Sequence, residues 1–101
     1  MPEYNLNSIH GLARLKKINY NGRKVQFDIL NLDYELEDVA RCLLQLTEDD
    51  FHRTHQYGNN RIFDAYRCQY QKSPDASTDD LYIKLRLTDD LLLLEIGSFH
   101  L

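Results

Sequence analysis

The chain has 101 residues, with 12 basic and 16 acidic side chains and a net charge of −4, which allows one compact domain over 1–101 and leaves no room for a second core. The acidity argues against a generic polyanion binder, whose affinity rests on many Lys and Arg contacts to phosphates. No apolar run approaches the roughly 20 residues that cross a bilayer, and the N-terminus lacks the charged-then-apolar layout of a secretory signal, so a soluble cytoplasmic protein with no membrane partner is expected.

Ile9, Leu12, Ala13, Leu15 and Lys16 recur at helical spacing, with Asn7 or Ser8 placed to accept hydrogen bonds from the first free amides and Asn21-Gly22 placed to end the helix. Arg23 to Leu32 fits two patterns. Val25, Phe27 and Ile29 alternate like a strand, whereas Ile29, Leu30 and Leu32 suit a helix. The next helix is clearer, because Leu36, Val39, Ala40, Leu43 and Leu44 fall at i, i+3, i+4, i+7 and i+8, with Asp33 as its cap and Glu35, Glu37 and Asp38 in the first turn, where the helix dipole favours anions. Thr47-Glu48-Asp49-Asp50 has the form of a capped single turn.

From Phe51 the period becomes two. A first strand runs to Tyr57, Gly58-Asn59-Asn60 turns the chain, and a second strand carries Arg61 to Arg67. Lys72 to Asp80 is polar and loop-like. Leu81, Ile83, Leu85 and Leu87 then face one way while Tyr82, Lys84, Arg86 and Thr88 face the other. Asp89-Asp90 makes a tight turn into the apolar run Leu91 to Ile96, which suits a central strand that Gly97 bends or ends. The expected fold is α+β, with two or three helices on one face of a mainly antiparallel four-stranded sheet. Cys42 and Cys68 form no Cys-x-x-Cys or Cys/His cluster and read as free buried thiols in a reducing compartment.

Charge is unevenly spread. Phe51 to Lys72 holds Arg53, Arg61, Arg67 and Lys72 against the single acid Asp64, while Val25 to Asp50 holds eight acids against Arg41. A basic face can therefore exist on an acidic molecule. Alternation places Arg53, His55 and Tyr57 on one side of the first strand, although His52 and Gln56 compete for that face, since a one-residue slip exchanges the two sets. If the Leu/Ile side of the third strand meets the helices, Tyr82, Lys84 and Arg86 lie on the open side. Imidazole, guanidinium and phenol groups so gathered can cleave an RNA phosphodiester without a metal: His55, Tyr82 and His100 can move protons, and Arg53, Arg67 and Lys84 can stabilise charge on phosphorus. A solvated outer face is the plainer reading of Lys84 and Arg86, and packing with a wetted hydroxyl that of Tyr57, Tyr66 and Tyr70. His10 and His52 read as surface histidines. The histidines lack the short helical pairing of a zinc site, so no metal is expected.

Leu46-Thr47-Glu48-Asp49-Asp50-Phe51, Tyr57, Asp64-Ala65-Tyr66-Arg67 and Leu81-Tyr82-Ile83-Lys84, followed by the apolar run to Ser98-Phe99, give the second half of the chain an order and spacing that resembles the MqsR family of bacterial toxin ribonucleases, relatives of the RelE-like toxins. The first half matches as two helices around a shorter segment, with Leu15-Lys16-Lys17 its best local match. The resemblance implies a RelE-like fold and a sequence-preferring messenger-RNA endonuclease that needs no cofactor, binds single-stranded RNA and is held inactive by a cognate antitoxin. It places the family's strand-entry lysine on Arg53, its third-strand tyrosine on Tyr82, and its second-strand aspartate, tyrosine and arginine on Asp64, Tyr66 and Arg67. Arg67, Lys84, Arg86, Tyr57 and Arg61 are then the expected RNA contacts, and Arg53, Tyr82, His100 and His55 the expected catalytic set. The sequence departs from the family's pattern in two places: Phe63 stands where a glutamine is expected, and His100 where a lysine is expected. Unlike a lysine, an imidazole changes charge near neutral pH. A different class of protein fits the acidic segments Asp33 to Asp38, Glu48 to Asp50 and Asp89-Asp90, whose carboxylates can complement a basic partner: a non-catalytic immunity or regulatory module on a similar scaffold.

Overall fold

A computed structural model describes residues 1–101. In chain order it contains α1 (Leu6–Arg14), β1 (Ile18–Tyr20), α2 (Arg23–Asn31), α3 (Leu36–Leu44), a 3-10 turn (Glu48–Asp50), β2 (Phe51–Gln56), β3 (Ile62–Gln71), β4 (Thr78–Leu87) and β5 (Leu94–His100). The sheet order is β1-β5-β4-β3-β2. The pairs from β2 to β5 are antiparallel, but β1 lies parallel to β5, Ile18 opposite Leu94 and Tyr20 opposite Ile96. The sheet is thus five-stranded and mixed, not four-stranded and antiparallel. Three residues are too few for alternation to register, and a parallel neighbour has to be reached by a long crossover, which local pattern does not reveal.

The helices cover one face. Asn5, two residues earlier than expected, caps α1 by accepting a hydrogen bond from the Asn7 N–H at 2.7 Å. The ambiguous segment is helix α2: Val25 and Ile29 are buried one turn apart and Phe27 points out, a spacing that also satisfies alternation. Asp33 does not cap α3. It follows the end of α2 with φ +60°, and Glu35 caps α3 in a reciprocal box with Asp38, whose carboxylate accepts the Glu35 N–H at 2.9 Å. Asp38 is buried and also accepts the Tyr70 hydroxyl at 2.8 Å. Val39, Cys42, Leu43 and Ile9 pack on Leu81, Ile83, Leu85 and Leu87 of β4 and on Leu94, Ile96 and Phe99 of β5. His10, expected at the surface, is half-buried, its Nε2 3.0 Å from the Leu46 carbonyl. The apolar run Leu91 to Leu93 is exposed in the β4–β5 loop, so β5 begins only at Leu94.

Gly97 does not end β5. Lys84 pairs with Ser98 and Leu85 with Ile96, so Gly97 is the extra residue of a bulge, and a Cβ there would lie 2.8 Å from Phe63 Cε2. Asp64 is fully buried and holds the N-terminal segment to β3 and β2: it accepts the Glu3 and Tyr4 N–H groups at 3.0 and 2.9 Å and the Thr54 hydroxyl at 2.7 Å. Asp64→Ala strands these donors and is expected to cost about 3 kcal/mol. In thermal denaturation that lowers the midpoint by roughly 12–24 °C, with partial recovery in Asp64→Asn. Gly97→Ala is expected to cost about 1–3 kcal/mol through the Phe63 clash, and Gly97→Ala with Phe63→Leu to regain part of it on the same scale.

Candidate active cleft

The site lies on the sheet face opposite the helices. Phe51 pairs with Tyr66 and Arg53 with Ala65, so a bulge falls at His52. Phe51 therefore turns inward, edge-on to Tyr66 at 5.7 Å, while Arg53 and His55 come to the open face. Of the two competing faces of the first strand, the Arg53/His55 set is the one at the cleft, and the bulge adds His52 to it. Tyr66 goes the other way. It is fully buried under the helices, its hydroxyl has no partner, and burial pushes its pKa up to about 12.

Across the sheet Arg67 pairs with Tyr82 and Tyr82 with His100. A cleft of about 380 Å³ is lined by His52, Arg53, His55, Arg67, Tyr82 and His100 together with Leu101. Tyr82 is its hub. The Tyr82 hydroxyl and His55 Nε2 lie 3.1 Å apart, the Arg67 guanidinium sits 5.1 Å from the ring centroid, and the His100 ring stacks on Tyr82 at 5.4 Å and 29°. His52 meets the same ring edge-on at 6.3 Å. With aromatic or guanidinium planes on several sides, the phenol is held in one orientation.

The cations of this face have no internal counter-ion, as is also true of Arg14, Lys17 and Arg23 elsewhere on the molecule. Carboxylates take up Lys16, Lys24, Arg41, Lys72 and Arg86, whereas Arg53, Arg61, Arg67 and Lys84 contact none. Partial burial, and next the charges of Arg53, Lys84 and His52, hold the His55 pKa below the ordinary imidazole value, so the ring is neutral at pH 7.

Not every expected RNA contact lies in the cleft. Arg86 is bound to Glu95 and lies 3.6 Å from Asp89, with its side chain only 12% exposed. A cation so neutralised and covered has little left for a phosphate. Tyr57, Arg61 and Lys84 line a neighbouring hollow, where Lys84 bonds the Tyr57 hydroxyl and stands 4.9 Å from its ring centroid. The Tyr57 ring stacks beside His55 at 6.4 Å, which joins the two depressions. No three His, Cys, Asp or Glu side chains converge to hold a metal ion. Both cysteines are free; burial pushes the Cys68 thiol up to about 11 and raises Cys42 as well. His52 is the cleft residue that sequence reasoning set aside, because a single-residue bulge leaves no mark in the pattern. In an NMR pH titration His55 is expected to show a midpoint below that of a free imidazole, and Arg53→Ala to move it upward by removing a nearby positive charge. An unchanged midpoint in Arg53→Ala would contradict this electrostatic account.

No curated protein matches the chain. The family model described as "Motility quorum-sensing regulator, toxin of MqsA" matches residues 1–100. The chain therefore belongs to the MqsR toxin family, the toxin side of a toxin–antitoxin pair whose antitoxin is MqsA.

Proposed function

We propose that this toxin is a metal-independent endoribonuclease that cleaves messenger RNA in the cytoplasm and is neutralised by its antitoxin. The observation that carries the reading is the 3.1 Å contact between His55 and Tyr82, set among Arg53, Arg67 and His100 with no carboxylate on the guanidinium groups. Neutral His55 takes the proton of a ribose 2′-hydroxyl, and the resulting oxygen attacks the adjacent phosphorus. Arg53 and Arg67 hold the charge that develops on the phosphoryl oxygens, and the Tyr82 hydroxyl orients the phosphate. The P–O5′ bond breaks as His100 donates a proton to the leaving oxygen. The products are a 2′,3′-cyclic phosphate and a free 5′-hydroxyl.

Part of each acidic cluster that favours a non-catalytic immunity module is engaged within the fold, while the Asp33 and Asp89 side chains are exposed. Asp38 and Asp50 close capping boxes, Glu37 pairs with Lys16 and Arg41, and Asp90 accepts from the Thr88 hydroxyl and the Leu92 N–H. Growth arrest on expression separates the two classes, since a ribonuclease is harmful and an immunity protein is not.

Purified protein incubated with single-stranded RNA tests the assignment. Arg53→Ala combined with Tyr82→Phe is expected to lower kcat/KM by about 10²-fold or more; full activity in that double variant, or none in the parent, would sink the assignment. The pH profile has a definite sign. Protonated His55 cannot act as a base, and its pKa is lowered, so activity rises through an acid limb below the ordinary imidazole range and is complete on that side by neutrality.

A further inference from the structure

The hollow beside the cleft, about 280 Å³, is built from four separate parts of the chain: Asn21 after β1, the β2–β3 hairpin with Tyr57, Asn59 and Arg61, Lys84 of β4, and Gly97 of β5. Its floor is the Phe63 ring. The ring can lie against β5 because Gly97 has no Cβ, and the Tyr57 ring stands edge-on to Phe63 at 5.6 Å and 84°. Its cations, Arg61 and Lys84, touch no carboxylate, in a chain where acids outnumber bases. Its amides are available. Asn21 is anchored through its backbone, its N–H donating to the Ile96 carbonyl at 2.8 Å, and Asn59 uses only Oδ1, which accepts the Arg61 N–H at 3.2 Å. An aromatic wall, cations for a backbone phosphate and amides that offer a donor beside an acceptor make up the chemistry of a nucleobase subsite.

On the ribonuclease reading above, we infer that this hollow holds the nucleotide carrying the attacking 2′-hydroxyl, the one 5′ of the scissile phosphate, and that Asn21 and Asn59 read its base edge. The polarity follows from the proton path. The base must stand beside the 2′-hydroxyl, and His55 stands between the cleft and the hollow, lining the first and stacking on Tyr57 of the second. His100, which serves the leaving oxygen, stacks on Tyr82 and does not line the hollow. The 5′ nucleotide therefore extends toward Tyr57 and the 3′ nucleotide away from it.

The test is kcat/KM on RNA oligonucleotides in which only the base 5′ of the cut, or only the base 3′ of it, is varied. Asn21→Ala and Asn59→Asp are each expected to change the ratio between 5′ bases on the order of tenfold and to leave the 3′ ratios unchanged. Asn59→Asp keeps the oxygen that accepts the Arg61 N–H while replacing the amide donor, so it is expected to shift preference toward bases that present an amino group. Thermal midpoints close to the parent's would show that both variants are folded. Parent cleavage without any 5′ preference, 5′ ratios unchanged in both variants, or changes confined to the 3′ side would each overturn the inference and leave the ribonuclease reading standing. A parent that cleaves no RNA of any sequence overturns the reading and the inference together.

Discussion

Everything at the cleft depends on the strict alternation of β4. Leu81, Ile83, Leu85 and Leu87 are buried against the helices, so the residues between them have no choice of side. Burial of four large aliphatic side chains, each contributing about 1.5–3 kcal/mol, fixes the register far more strongly than any polar contact on the open face. Tyr82 is thus positioned by its neighbours in sequence before it touches His55, Arg67 or His100. Because β4 is the middle strand, Arg67 and His100 arrive from β3 and β5 as its direct cross-strand partners and His55 from β2, one strand further out, all on rigid backbone rather than on loops.

A second constraint is electrostatic. An acidic protein that carries a cationic face has to keep its own carboxylates away from it, or the guanidinium groups would be neutralised internally. Here several of the acids are tied to backbone: Asp38 and Asp50 to capping boxes, Asp64 to the Glu3 and Tyr4 amides, Asp90 to the β4–β5 turn. Arg86 shows the alternative outcome. It follows the same alternation as Tyr82 and Lys84, but Glu95 faces it directly across the ladder and removes it from the cationic surface. The free cations therefore end at Lys84 on β4, and the net charge of −4 says little about the face that would meet an anion.

Much of this was legible in the sequence where a period was long enough to read. The stripe of α3 and the alternation of β4 were evident, and with them the open-face position of Tyr82 and Lys84. What escaped was short or non-local. The three residues of β1 carry no period, and their partner β5 lies more than 70 positions away in sequence. Val25 and Ile29 satisfied two periods at once, so only their packing separates helix from strand. The face of β2 hung on one extra residue, His52, whose bulge depends on the pairing with β3 and not on any local preference.

The two bulges have opposite effects on the same surface. At His52 the extra residue adds a side chain to the cleft. At Gly97 it adds backbone without a side chain, and the Phe63 ring fills the space a Cβ would occupy. Phe63 stands where the family resemblance implies a glutamine, and its ring needs the glycine beside it: a polar side chain would remove the apolar ring that now lies 5.6 Å from the Tyr57 ring, centroid to centroid, and 5.8 Å from the Lys84 Nζ. The departure at Phe63 therefore reshapes the ground beside the cleft and leaves the His55–Tyr82 contact intact. On the proposed reading, that separates the part of the surface that would carry the chemistry from the part that would tell one nucleotide from another.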